Sequence, residues 1–562
     1  MKYFKILMIA LFSIATTSCT QDFDEINTSQ TGFTADEVSA KFFLTSAQVG
    51  LYAPGRFEYW RAHIIHNDRY AGHFSMGHSA SWWDDGLSYN YRADYTDASY
   101  GWLAGHFGQI KGFADFTEEG GEFENQYMYA MSLIMKGLYF QIYTDTFGMV
   151  PFSEAGVDGI LTPKYDSQKD IYKGIIADLD NAMSIIGSSE RTGIGVEDAG
   201  PNDIYCGGDL QQWKRLANTL KLRIGMRALG ADGDDFAAGT ISSALGAPLL
   251  DEASGSVVMS KDFEISEWTS ASYGDVWHDF GTGGAANFTV GKILINALKH
   301  NNDPRLSAYA VPAKGGSFAF TDPGDDPDFQ TRLDFTIANL DAASATYTIS
   351  SAIVDGKTVT TINISQDDQY IGQPPRTNSD TQPFMRYNMF SLPSDAITHK
   401  RGTVNENGYP EIILSSADSY FLQAEAAVKG IGSGDAQALF QSGIREAMKL
   451  WGVSGDTYIA NEDLADISTG TMEEKLEKIA MQRWIASYTD GFEAWAVVRD
   501  TGYPRELAVG VSDATIFSLG TLNGAYPQRL RYGSSAQANP NFAAAISAQG
   551  PDEQATKLWF AK

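Results

Sequence analysis

Apolar residues recur at helical spacing in two long stretches of this chain, and a more irregular stretch lies between them. From position 126 to 143 (QYMYAMSLIMKGLYFQIY) nearly every face is apolar, which predicts a helix buried between neighbours. Gly148 and Pro151 predict where it stops. Ile171, Ile175, Leu179, Met183 and Ile186 follow at spacings of four, four, four and three. That pattern predicts an amphipathic helix over 168–186, capped by Asp166 or Ser167. Over 213–229, Leu216, Leu220, Ile224 and Ala228 line one face, and five basic residues lie largely on the others. The middle, about 230–410, is rich in Gly, Asp and Ser. Within it, 330–365 alternates apolar and polar residues around Asp355-Gly356, which predicts a small β-hairpin insertion. Helical pattern resumes at 416–429, 435–451 and 472–488. The expected class is mainly α, with helix-on-helix packing. No strict repeat of a helical-solenoid period is readable.

The first residues, MKYFKILMIALFSIATTSC, carry Lys2 and Lys5, then a nearly unbroken apolar run from Ile6 to Ile14, then small residues ending at Cys19. This reads as a secretory signal over 1–18, too short for a permanent membrane helix. A cysteine directly after the small residues resembles a bacterial lipobox, although Thr16 stands where Leu is commonest. The resemblance implies lipidation of Cys19 and a polar tether over 19–36. The acidic residues Asp22, Asp24 and Glu25 resemble the surface-export signal of Bacteroidetes lipoproteins.

Charge and cysteine content narrow the classes further. With Asp+Glu 70 against Lys+Arg 41, the net charge of −29 argues against nucleic acid and against adhesion to anionic lipid through a basic face. Two cysteines, Cys19 and Cys206, rule out a disulfide framework, and Cys206 is expected as a buried small apolar residue.

Several segments together resemble the SusD/RagB family of outer-membrane nutrient-binding lipoproteins. They are YTDTFGMVPFSEA (143–155, with Met149 replacing the usual Asp), LTPKYDSQKDIYKGIIADLDNA (161–182) and WKRLANTLKLRIGMR (213–227). Near the C-terminus come DSYFLQAEAAVKG (418–430), QRWIASYTDGFEAWAVVRDTGYPRE (482–506) and RLRYGSS (529–535). The resemblance implies one domain over 37–562: a tetratricopeptide-like scaffold over 37–230 and 411–562, and an irregular ligand-side subdomain over 231–410. It implies a lipid-anchored protein exposed at the cell surface on the outer membrane, non-catalytic and without a cofactor. The implied partner is a SusC-like TonB-dependent transporter, and the implied ligand is an oligosaccharide or, alternatively, a peptide. The matched segments look like scaffold and carry no ligand chemistry.

Ligand chemistry is expected in the irregular regions, because sugar rings offer apolar C–H faces to exposed aromatic planes. Residues 57–102 hold four of the 11 tryptophans, Trp60, Trp82, Trp83 and Trp102. Within Ser81-Trp82-Trp83-Asp84-Asp85-Gly86, two planes stand beside two carboxylates that can accept sugar hydroxyls. Trp60 and Tyr89 belong to the same aromatic stretch, and Trp268, Tyr273 and Trp277 form a second cluster. Burial in a core is the bland alternative for each. Five of the eight histidines (His63, His66, His73, His78, His106) fall in the first stretch, but they lack a second compact pair, so no metal is expected there. The acidic run Asp322–Asp328 offers oxygen ligands of a kind that suits calcium, but it lacks the EF-hand order and reads as a solvated loop. No hydrolase, phosphate-loop or zinc-protease motif occurs, and a glycoside hydrolase is the enzymatic alternative, because two carboxylates suffice for one.

Overall fold

The computed structural model describes residues 38–79, 89–280, 288–401 and 408–561. The expected signal and tether, and also Trp82, Trp83, Asp84 and Asp85, lie outside the described residues. The fold is mainly helical with small antiparallel sheets, as expected. The first helices are α1 (Ala40–Tyr52), α2 (Ala93–Thr117), α3 (Gln126–Phe147), α4 (Gln168–Ile186), α5 (Leu210–Ala228) and α6 (Ala237–Leu245). Each packs on the next in sequence. The middle carries α7 (Tyr273–Phe280), α8 (Lys292–His300) and α9 (Phe329–Ala342). The C-terminal stretch adds α10 (Ser416–Val428), α11 (Ala436–Leu450), α12 (Met472–Ala486) and α13 (Gly491–Thr501).

Local chemistry sets the ends of these helices. Ser167 Oγ accepts from Asp170 N and caps α4, while Gly148, at φ 88°, closes α3 with its N–H on Thr144 O. Thr471 and Glu474 form a reciprocal capping box at the start of α12.

The small strands are β1 (Phe74–Ser75), β2 (Val257–Lys261), β3 (Thr289–Val290), β4 (Gly316–Thr321), β5 (Tyr347–Val354), β6 (Lys357–Ile364) and β7 (Gly408–Leu414). β1 pairs with β3, β2 with β7, and β4, β6 and β5 form a sheet in that order. The β5–β6 hairpin turns at Asp355-Gly356 as expected, with φ of 52° and 77°. The expected hairpin region began too early, however: Phe329 to Ala342 is α9. Phe329, Arg332, Leu333, Thr336 and Leu340 fall at i, i+3, i+4, i+7 and i+11, one helical face, and it is this face that is buried. α9 packs with the β4–β6–β5 sheet and the segment around Phe384 into a core of its own. The acidic run before α9 is tied to it, since Asp326 pairs with Arg332 at 2.7 Å.

α5 departs furthest from its predicted pattern. It is flanked by α4, α6 and α10, so three of its basic residues are buried. Arg223 meets Asp418 of α10 at 3.0 Å and Glu493 of α13 at 3.4 Å. Arg227 meets Asp145 of α3 at 2.5 Å and Glu493 at 2.6 Å. Arg483 of α12 closes the network on Asp418, Glu425 and Glu493. Lys221 reaches Asp180 of α4 at 2.6 Å. Burial alone would push the Glu493 carboxyl up, but Arg223, Arg227 and Arg483 outweigh it and hold the group well below the ordinary glutamate range. Asp145, Arg223, Arg227, Asp418, Arg483 and Glu493 all lie in the motif segments, which therefore do build scaffold.

Glu493→Gln leaves three buried guanidiniums short of a counter-charge. It is expected to cost about 3–5 kcal/mol in denaturant unfolding. Glu197→Gln, which breaks the exposed Lys41–Glu197 pair, is expected to cost under about 1 kcal/mol. Equal costs would contradict this account of the core.

Candidate ligand-binding site

The expected site residues separate by burial. Trp60 begins a π-helical segment, Trp60–Asp68, and is buried against Tyr95 with centroids 6.0 Å apart. Tyr89 is buried, its hydroxyl donating to Arg69 O at 2.8 Å. Tyr273 is buried edge-on to Tyr59, and its hydroxyl donates to Asp68 Oδ2 at 3.0 Å. These three are core residues, so the expectation of open stacking planes there is corrected. Most of 57–102 was expected to be irregular; its described part is largely helical and packed. Trp277 is half-buried, edge-on to Phe288 at 4.9 Å.

Trp268 behaves differently. Among the described residues it is the one tryptophan classed as exposed, at 56%. Phe57, which the sequence reading did not single out, is 44% exposed, with its centroid 5.6 Å from Trp268 and an interplanar angle of 52°. The Arg56 guanidinium lies 4.0 Å from the Trp268 centroid, and Arg61 lies 5.1 Å from that of Phe57. Main-chain bonds hold the two segments together: Arg56 N donates to Glu267 O at 2.9 Å, and Ala271 N to Pro54 O at 2.9 Å. Gly55 permits this approach, because a Cβ there would sit 2.5 Å from Trp268 O. The result is an exposed aromatic pair with charged hydrogen-bonding groups around it. It offers stacking planes to a ring with C–H faces, and donors and acceptors to that ring's hydroxyls.

A second concavity lies near Tyr89. Tyr89, Arg376, Phe335, Phe517, Lys292 and Glu506 help line a cavity of about 270 Å³. Arg376 lies 4.7 Å from the Tyr89 centroid and donates to Gly524 O and Ala525 O. Lys292 and Glu506 face each other at 3.7 Å.

The histidines have separate structural partners. His63 stacks on Tyr59 at 4.1 Å, His66 contacts Ser99 Oγ at 2.9 Å, and His78 packs near Tyr387. The ring nitrogens of His73 and His106 meet Trp484 O at 3.0 Å and Ala47 O at 3.1 Å. Among the described residues no group of three His, Cys, Asp or Glu is placed to hold a metal. Cys206 is half-buried beside the core.

With fold and geometry in view, comparison with known proteins decides the family. Residues 33–324 and 331–533 match the SusD-like family model described as "Starch-binding associating with outer membrane". The chain belongs to the SusD-like family. This family consists of non-catalytic binding proteins associated with the outer membrane, which sets the hydrolase alternative aside. Similar solved structures include a chitin-binding protein (22% identity, TM-score 0.69, 93% of this chain and 100% of that chain covered). A SusD homolog from Bacteroides vulgatus is 20% identical, with TM-score 0.67 and coverage of 93% and 98%. A chitin-binding SusD homolog from Flavobacterium johnsoniae is 21% identical, with TM-score 0.67 and coverage of 92% and 98%. At these identities the likeness shows a shared SusD-like fold. No curated protein matches the chain.

Burial also gives the molecule an acid sensitivity. It penalises the charged imidazole and pushes His63 and His106 down to about 4, and His66 and His73 to about 3. Histidines in the unfolded chain protonate near pH 6.5, so the stabilisation is present above that pH and is lost as pH falls toward 3–4. Each of the four is expected to forfeit about 2 kcal/mol between pH 7 and pH 5. Burial pushes Asp490 up to about 7 and Asp68 up as well, and these two offset part of the loss. The check is therefore titration of the imidazoles by NMR: all four rings are expected to stay largely neutral at pH 5, and protonation near pH 6.5 would contradict the buried-neutral assignment.

Proposed function

We propose that this chain is a lipid-anchored cell-surface protein that captures oligosaccharide on exposed aromatic planes and passes it to a SusC-like TonB-dependent transporter. The observation that carries the reading is the exposed Trp268–Phe57 pair in a molecule whose other described tryptophans are buried or half-buried. Family membership supports carbohydrate as the ligand class, and two of the similar structures are described as chitin-binding. A sugar ring stacks its C–H face on Trp268 or Phe57, while Arg61 and Glu267 are at hand for its hydroxyls. Trp82, Trp83, Asp84 and Asp85 are proposed as further contacts on the sequence pattern alone. Cys19, after a signal over 1–18, is the proposed anchor, and 19–36 the tether. The proposed organisation is one domain, with its scaffold in 37–230 and 411–562 and a ligand-side subdomain in 231–410. Uptake energy then comes through the transporter, leaving this chain to bind and deliver.

Peptide is the second reading, and the cavity beside Tyr89 favours it. Its proline and phenylalanine lining, with Lys292 and Glu506 at hand, suits an amphiphilic chain with charged ends.

The test is a binding screen of glycans and peptides on the chain beginning at residue 20. Combined Trp268→Ala and Phe57→Ala is expected to weaken the best glycan at least ~10-fold, about 1.4 kcal/mol. Its unfolding midpoint should stay nearly unchanged, because both rings stand at the surface and belong to no buried core cluster. Undiminished glycan binding would exclude the pair as the site, and binding of peptides only would overturn the glycan reading. Trp82→Ala with Trp83→Ala, measured separately, tests the other proposed contacts.

A further inference from the structure

Among the described residues β5 is an edge strand, and its sequence lacks the features that normally keep such edges apart. Natural edges are blunted by Lys, Pro, bulges or shortness. β5 runs eight residues (YTISSAIV) without a charge or a proline, and its register with β6 is unbroken from Tyr347↔Ile364 to Val354↔Lys357. Ile349, Ile353 and Val354 are exposed. The whole hairpin, 347–364, contains one acid (Asp355) and one base (Lys357) and is therefore neutral, in a chain of net charge −29. Where this hairpin meets itself, two acidic molecules present segments of no net charge to each other.

Hydrogen-bond parity fixes how two copies could meet. Ser365 N donates to Thr346 O at 2.9 Å just beyond the last ladder pair. Even-numbered residues of β5 therefore turn their main-chain groups toward β6, and Ile349, Ser351 and Ile353 turn theirs outward. The side chains of these three residues also share one face of the sheet.

We propose that β5 pairs with β5 of a second copy of this chain, antiparallel about a two-fold axis through Ser351, joining two three-stranded sheets into one of six strands. In this register Ser351 faces its own counterpart, and Ile349 of each copy faces Ile353 of the other. The outward main-chain groups of Ile349, Ser351 and Ile353 find partners, and both exposed isoleucines are covered by like side chains. A two-fold axis through Ser350, which shifts the register by two residues, satisfies the same parity but sets Ile349 against Ser351. One strand pair buries less than the ~1,200 Å² of a standard interface, so the dimer is weak and depends on concentration.

Cysteine trapping in the chain from residue 20, with Cys206→Ser, tests the register directly. Directly opposed residues of a hydrogen-bonded pair have Cα atoms ~5.5 Å apart, within disulfide reach. Ser351→Cys is expected to form disulfide dimers at least ten-fold faster than Ser350→Cys or Thr358→Cys. Equal rates, no trapping, or faster trapping at Ser350→Cys would overturn the proposal. Ser351→Pro removes an outward N–H and leaves the β6 ladder intact. By light scattering, wild type is expected to rise from monomer toward dimer with concentration, and Ser351→Pro to stay monomeric with an unchanged circular dichroism spectrum. A wild type that is monomeric at its highest soluble concentration, or an equal rise in the variant, would also overturn it.

Discussion

The buried carboxylate of Glu493 is the constraint around which the helices are arranged. Three guanidiniums, from Arg223, Arg227 and Arg483, converge on it from α5 and α12, and Asp145, Asp418 and Glu425 complete the network from α3 and α10. Removing such groups from water is costly, so each must find its partners at close range. Such a network is weak evidence for net stability, but in this fold it supplies close-range partners between the two helical stretches. Arg227 and Glu493 are 266 residues apart in sequence, so their pairing ties the N-terminal helices to the C-terminal ones. Arg499 adds a further tie, donating to Asp145 O at 2.6 Å while its guanidinium lies 3.7 Å from the Trp495 centroid.

Much of this frame was legible in the sequence because its helices repeat apolar residues at three and four. α4 matches its predicted span, and α3, α5, α10, α11 and α12 match theirs to within a few residues at each end. α2 was not visible. Four glycines (Gly101, Gly105, Gly108, Gly112) lower its intrinsic propensity, and its buried face includes Thr96, Ser99 and His106, which no hydrophobic periodicity records. Over α9 a short apolar alternation coexists with a 3.6-residue period, so its sequence also fits part of a hairpin. The buried arginines of α5 were placed on outer faces for a related reason: periodicity identifies one apolar face but not how many neighbours surround a helix.

The ligand side was less legible, and the reason is again burial. Aromatic density draws attention to 57–102 and 267–277, but density alone cannot separate a core of edge-on rings from an open platform. Trp60, Tyr89 and Tyr273 pack inward, whereas Trp268 stands out on the loop that Gly55 allows against residues 54–57. Phenylalanine is ordinarily a core residue, so residue type alone does not mark Phe57 as exposed. The alternation of charge and ring in Arg56-Phe57-Glu58-Tyr59-Trp60-Arg61 was the signal available for it. Scaffold and platform thus draw on different residues: the family-defining segments hold the frame, and the exposed pair lies between helices that frame has already fixed.

The most direct measurement is a crystal structure of the chain from residue 20 with its best-binding oligosaccharide. The expected result is a sugar ring stacked within about 4 Å of the Trp268 or Phe57 plane, with the Arg223–Arg227–Glu493–Arg483 network unchanged. A ligand bound away from both rings, or held in the cavity beside Tyr89, would contradict the account.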